Sequence, residues 1–219
     1  MVITSLDNKK IKKYANLNNS KNRYEEGLFI VEGMHLCQEA NNEGILIDIL
    51  TLEDTQLNFD YSGEITYVTS KILNRISSLK SDCKIIGICQ IKMNKKIVGD
   101  HLLLLDGIQD PGNLGTICRI ADWFGIEDIL CSKETADVYN PKAMQATMGA
   151  LARIRVHYID LPEVLKQVHV PIYGTFLDGE DFYSKELGQN GIIVMGNEGN
   201  GISPQVKELV NEKLFIPNY

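Results

Sequence analysis

The stretch His101–Gly125, HLLLLDGIQDPGNLGTICRIADWFG, constrains this chain more than any other. Leu102–Leu105 and Ile108 frame Asp106-Gly107 as a short apolar run bounded by Gly and Pro, the pattern of a parallel strand covered on both faces. Asp110-Pro111-Gly112-Asn113 is a turn signal. Leu114, Ile117, Ile120, Ala121 and Phe124 then recur at helical spacing, with Asn113 read as the N-cap and Gly125 as the stop. A strand, tight turn and helix in this order aim a helix N-terminus beyond the strand's carboxyl end, where open α/β sheets bind ligands. By itself the stretch suits a phosphate, a cofactor or no ligand at all.

The same alternation runs along the rest of the chain. Strands are expected at 28–31, 45–52, 65–68 and 85–91, with helices at 1–24, from Met34 to about Asn41, and from the N-cap Thr69 to about Leu79. Met93–Asp100 reads as a linker. Beyond it come strands at 102–108, 128–132, 154–158 and 171–176, a helix opened by Asn140-Pro141 and running through Ala150, and another at about 161–168. An acidic loop at 177–190 precedes a buried strand, Gly191–Met195, a glycine-rich turn, a helix from Ser203-Pro204 to about Asn211, and a last strand at Leu214–Ile216. The expected architecture is α/β: a mostly parallel sheet flanked by helices at 101–219, preceded by a small α/β domain at 1–95.

Composition narrows the function classes. Hydrophobic residues make up 44% and charged residues 23% of the 219, ordinary for a globular protein. No apolar run approaches the roughly 20 residues of a membrane helix, and the amino terminus has no apolar signal core, which points to the cytoplasm and away from a membrane. Five cysteines without a CxxC pair read as reduced buried thiols, and four histidines without ligand spacing give no metal site. The net charge of −7 conceals two basic blocks: residues 1–24 carry six Lys/Arg against one Asp, and residues 71–96 carry seven against Asp82. Lys9, Lys10, Lys12, Lys13 and Arg23 are therefore candidate contacts for nucleic-acid phosphates, although lysines of this kind more often just solvate a terminal helix.

A second loop, Met195-Gly196-Asn197-Glu198-Gly199-Asn200-Gly201-Ile202-Ser203, again joins a strand to a helix. Its glycines are spaced unlike a dinucleotide fingerprint or a P-loop, and they suit close backbone approach to a flat, weakly charged ligand such as an adenosine. Arg119 lies on the helix face opposite Leu114, Ile117 and Phe124, where a lone arginine is more often a surface residue than a catalyst; Glu198 in the same way can simply tie down its own loop.

Together, LDGIQDPGNLGTICRIADWFGI, IVMGNEGNGIS and FIPN resemble the three ordered motifs of the SpoU/TrmH family of RNA ribose 2′-O-methyltransferases, and Tyr139–Lys142 and Thr147–Ala150 match segments between them. ITSLDNKKIKKYANL and FIVEGMHL resemble the substrate-binding domain attached to many members. The resemblance covers nearly the whole chain. It implies a deep trefoil knot near the carboxyl end, S-adenosylmethionine as methyl donor, a homodimer, and RNA as substrate, ribosomal 23S RNA ahead of tRNA. A non-catalytic RNA-binding protein of ribosome assembly would keep the same fold.

Carried over residue by residue, the first motif makes Arg119 the reactive arginine, with Glu198 and Asn113 orienting Arg119 and the loops. The second motif places Gly196, Asn197, Glu198, Gly199 and Gly201 around the methyl donor, the third adds Ile216 and Pro217, and Thr175 is a further candidate contact. Arg119 is also expected on an RNA phosphate, since guanidinium is almost always protonated and suits positioning better than proton abstraction. The family's third motif continues into a Ser- and Asn-bearing segment and a closing helix, whereas this chain ends at Tyr219. The expectation is that this chain binds S-adenosylmethionine weakly or not at all, and that a longer form binds it.

Overall fold

A computed structural model describes residues 2–79, 83–92, 97, 101–188 and 190–217. The expected linker, 93–100, lies outside the described residues except for Ile97. The chain divides into two compact units, Met1–Met93 with Asp137–Arg153, and Asn94–Ala136 with Ile154–Tyr219.

In the first unit, α1 (Lys9–Ala15) is capped by the Asn8 side chain, and a 3₁₀ turn (Asn16–Asn18) and α2 (Ser20–Glu26) follow. The single helix expected over 1–24 is thus broken at Asn19, whose extended backbone restarts the chain and caps Lys21. Then come β1 (Leu28–Glu32), α3 (Met34–Asn42), β2 (Leu46–Thr51), β3 (Glu64–Tyr67), α4 (Ser70–Ile76) and β4 (Ile85–Gln90). The strands lie in the order β1-β4-β2-β3, antiparallel except for the β2–β3 pair. Alternation along β4 sorts the two faces. Ile86 and Ile88 join Ile11, Tyr14, Leu17, Leu73 and Ile76 in one core, whereas a Cβ on Gly87 would meet Cys37 of α3 at 3.0 Å. The amino-terminal helix therefore buries more apolar surface than its basic composition indicates.

The second unit contains β5 (His101–Asp106), α5 (Pro111–Trp123), β6 (Asp128–Cys131), β7 (Arg155–Tyr158), α7 (Leu161–Leu165), β8 (Ile172–Asp181), β9 (Gly191–Gly196), α8 (Pro204–Lys207) and β10 (Glu212–Phe215). All six strands are parallel, in the order β10-β8-β9-β5-β6-β7. Leu104, Leu130, Ile192 and Val194 pack with Leu161 and Leu165 of α7 and Val206 of α8. Burial on both faces explains the unbroken apolar runs of these strands. The strand order reverses between β5 and β9, and the loops after both strands sit at that switch point, the expected ligand crevice.

Three expectations need correction. Asp110, not Asn113, caps α5: its carboxylate accepts the Asn113 backbone N–H at 3.0 Å. The buried stripe of α5 is Leu114, Cys118 and Ala121, while Ile120 and Phe124 are 50% and 74% exposed. The helix opened by Asn140-Pro141, α6 (Pro141–Thr147), stops before Ala150 because Met148 and Gly149 take the left-handed conformation, φ 50° and 92°. This segment also belongs to the first unit, not to the second with the rest of 101–219. Gln145 Nε2 donates to the Glu32 carbonyl at 3.0 Å, Arg153 pairs with Glu39 at 2.6 Å, and Asp137 pairs with Arg23.

Candidate active site

β5 and β9 are paired in register so that Asp106 lies opposite Gly196. The chain then turns sharply after each strand. After β9, Asn197 and Gly201 bond to each other through both backbone N–H groups at 2.9 Å, closing a small loop with Gly201 at φ 69°. The Asn197 side chain holds the loop from within: its oxygen accepts from Gly199 and Asn200 N–H, and its Nδ2 donates to the Gly107 carbonyl at 2.7 Å. Asp106 is buried at 6% exposure and accepts the Ser203 N–H at 2.7 Å, fixing the loop's far end to β5. Asn113 Nδ2 reaches Glu198 Oε1 at 2.9 Å. That hydrogen bond is the main reason the exposed Glu198 carboxyl lies below its ordinary value of 4.5, so it stays ionised at neutral pH.

Beside this loop the β8–β10 ladder slips. Lys213 pairs with Gly174, but the next residue, Leu214, pairs with Glu180, leaving Thr175–Gly179 bulged out of the register. The bulge opens a cavity of about 540 Å³, a size that suits a small organic ligand. Thr175, Gly196, Asn197 and Glu198 line it, as do Gly199, Gly201 and Ile216, so seven of the eight expected cofactor residues meet around one space. Pro217 is not among the lining residues. Phe176, Leu177, Asp178, Lys207 and Phe215 also line it and were not expected. Leu177 is 94% exposed, and Phe176 has the ammonium groups of Lys207 and Lys213 at 5.4 and 5.3 Å from its ring centre. Asp106 could have been noticed in the sequence as a carboxylate ending an apolar run. The bulge has no local signal, because it depends on β10 pairing across the sheet.

The remaining expected residues fall elsewhere. Arg119 is exposed on α5, about 9 Å further along the helix axis than Asn113 at 1.5 Å per residue, and it does not join the Asn113–Glu198 pair. Of the basic residues, Lys10 pairs with Asp48 and Glu64 at 2.7 and 2.6 Å, Lys12 with Asp7, and Lys13 with Glu26. Burial depresses the Lys10 pKa, and the two carboxylates outweigh that and raise it. Arg23 is 2% exposed, donates to the Leu17 carbonyl at 2.8 Å and pairs with Asp137, so its role as an RNA contact is corrected to a structural one. Lys9 alone of this group is exposed without an ion-pair partner among the described residues.

Residues 100–219 match the SpoU rRNA methylase family, and residues 8–87 match the MRM3-like substrate binding domain. The chain belongs to the SpoU rRNA methylase family. Its members are S-adenosylmethionine-dependent RNA 2′-O-methyltransferases, and this chain is accordingly an enzyme of that class. It is 31% identical to the 23S rRNA (guanosine(2553)-2′-O)-methyltransferase RlmP of Bacillus subtilis, with 99% of this chain and 90% of the relative covered. Among solved structures, a TrmH-family protein from Porphyromonas gingivalis superposes with a TM-score of 0.87 at 33% identity, covering 98% of this chain and 90% of that one. An AdoMet-bound rRNA methyltransferase from Sinorhizobium meliloti gives 0.85 at 25% identity, covering 100% and 89%.

The SpoU cavity fits the methyl donor chemically. S-adenosylmethionine carries a flat adenosine, a sulfonium, an ammonium and a carboxylate. The cavity offers Phe176, Leu177, Phe215 and Ile216 to apolar surface, Asp178 and Glu198 to cations, and Lys207 to an anion. A Cβ at Gly199 would meet nothing nearer than Asn197 Oδ1 at 3.6 Å, so bare backbone faces open space along this wall. Among the described residues, no helix is long and apolar enough to cross a membrane.

Proposed function

We propose that this protein methylates a ribose 2′-OH of 23S ribosomal RNA in the cytoplasm. The first unit recognises RNA, and the second, with an expected trefoil knot at its carboxyl end, transfers the methyl group. The observation that carries the site assignment is the convergence of the second motif, the start of the third and Thr175 of β8 on one cavity beside the β5–β9 switch point. The 23S substrate rests on the full-length similarity to RlmP.

When bound, S-adenosylmethionine supplies an electrophilic methyl on a sulfonium. Thr175, the Gly196–Gly201 loop and Ile216 would hold it. A ribose 2′-OH is a poor nucleophile and needs alignment and help in losing its proton as its oxygen is methylated. Arg119 supplies the alignment by gripping a neighbouring RNA phosphate, since a guanidinium remains protonated and pairs with phosphate oxygens bidentately, and the 2′-OH proton passes to solvent. Asn113 and Glu198 fix the relation of the two loops, so that the start of α5 and the donor cavity share one frame.

A homodimer fits the same reading. Ile120, Trp123 and Phe124, 50%, 84% and 74% exposed, form one apolar patch at the end of α5, next to Arg119. Covering that patch with a second copy removes a large hydrophobic area from water and carries Arg119 to the joint. The test is methyl incorporation: a form of the protein that binds S-adenosylmethionine in calorimetry, given that donor and 23S RNA, gives 2′-O-methylation that Arg119→Ala abolishes. Transfer to tRNA and not to 23S RNA would move the substrate to the tRNA alternative, and unchanged turnover in Arg119→Ala would refute the role given to Arg119.

A further inference from the structure

The first unit contains a groove of about 530 Å³ separate from the donor cavity, and it is lined by both matched regions. Asn18, Ser78 and Leu79 come from the substrate-binding match, and Asn140, Lys142 and Gln145 come from the methylase match. Three of these are amides, and each is anchored at one end by a main-chain group that fixes its orientation. Asn18 Nδ2 donates to the Ile76 carbonyl at 2.8 Å, and Gln145 Nε2 donates to the Glu32 carbonyl at 3.0 Å. Asn140 Oδ1 accepts the Lys142 N–H at 2.9 Å. A carbonyl can only accept and an N–H can only donate, so none of the three amides can be flipped. The ends left without a partner among the described residues are two acceptors, Asn18 Oδ1 and Gln145 Oε1, and one donor, Asn140 Nδ2.

Two acceptors and one donor held on a groove wall form a recognition pattern. Unpaired RNA bases are read by hydrogen bonds to their Watson–Crick edges. Of the four, only guanine presents two donors, N1–H and N2–H, with one acceptor, O6. Leu79 and Pro141 add apolar surface for the base plane. We propose that this groove binds an unpaired guanine of the RNA substrate, away from the ribose that is methylated. The proposal rests on RNA being the substrate, and it locates a specificity site in the first unit.

The test is binding of labelled RNA heptamers to the full chain by fluorescence anisotropy. Seven uridines form the baseline, and the central uridine is replaced by guanosine, inosine or adenosine. The wild-type protein binds the guanosine heptamer about tenfold more tightly than the inosine or adenosine ones, the inosine lacking only the N2 donor. Asn140→Asp keeps the cap on Lys142 and removes the donor, and Gln145→Ala removes an acceptor. Each variant loses the guanosine preference and keeps its affinity for the uridine heptamer within about twofold. Melting curves establish that the variants are folded, and if Gln145→Ala is not, Asn140→Asp decides alone. Equal wild-type binding of all heptamers, or a preference that survives in Asn140→Asp, overturns the proposal. The measurement needs no methyl transfer, so its failure is distinct from a failure of the 23S assignment.

Discussion

Arg119 and Asn113 share one helix and one motif, yet they do different work. Asn113 is tied to Glu198, while Arg119 lies exposed further along α5. Replacing Arg119 by Ala should lower methyl transfer at least a hundredfold, in the range for losing one preorganised electrostatic contact. Because Arg119 does not line the donor cavity, calorimetric S-adenosylmethionine binding should match the wild type. Glu198 gives a pH signature. Its pKa is depressed by the Asn113 amide, so the tie holds above the ordinary carboxylate range and is lost only as pH falls through the lowered value. In Asn113→Ala, an NMR titration should show the Glu198 carboxyl moving up toward 4.5; an unmoved titration would mean the tie is not what depresses it. Asp106→Ala would leave the Ser203 N–H unsatisfied, at a cost of about 1–3 kcal/mol in denaturant melts. At this scale much was legible, since the two Gly/Asn-rich turns name their own residues. What the sequence concealed was partnership: the acids beside Lys10 are Asp48 and Glu64 and the one beside Arg23 is Asp137, pairs that close only in the folded chain.

At the scale of elements, the donor cavity depends on two glycines that the backbone crowds. A Cβ on Gly196 would lie 2.3 Å from the Gly201 carbonyl carbon and the Ile202 nitrogen, and one on Gly179 would lie 2.4 Å from the Leu214 carbonyl carbon. Gly196→Ala should therefore force the loop open and weaken S-adenosylmethionine binding at least tenfold with little change in RNA affinity; equal donor affinity would mean the loop does not shape the cavity. The strands of the parallel sheet were legible because burial on both faces leaves unbroken apolar runs such as Leu102–Leu105. Helix ends were less so. α6 stops at Thr147 because the chain must pass Glu39, whose Cγ lies 2.8 Å from where a Gly149 Cβ would be, and that neighbour comes from another part of the chain. The bulge in β8 escaped for the same reason, its register being set by β10.

For the whole molecule, sequence order and spatial grouping part company at 137–153, which belongs to the methylase match but packs in the first unit. The Arg23–Asp137 pair, buried on the arginine's side, is one of its fastenings. Arg23→Ala would remove the counter-charge of Asp137, which keeps hydrogen bonds from Ser20, Tyr24 and the Tyr139 N–H, and should destabilise the first unit by about 1.5–3 kcal/mol in denaturant melts, the range for losing a hydrogen bond to a charged group. A loss below 1 kcal/mol would show that the pair is not a fastening. Trp123→Ser should shift sedimentation from dimer to monomer at micromolar concentration, and a dimer that persists would place the interface away from α5.

The central claim, 2′-O-methylation of 23S ribosomal RNA through Arg119, is tested most directly by mapping 2′-O-methyl riboses on total RNA from cells with and without this protein. One 23S ribose should lose its methyl group when the protein is absent, regain it with the wild-type protein and not with Arg119→Ala. An unchanged 23S methylation map, or full restoration by Arg119→Ala, would contradict the account.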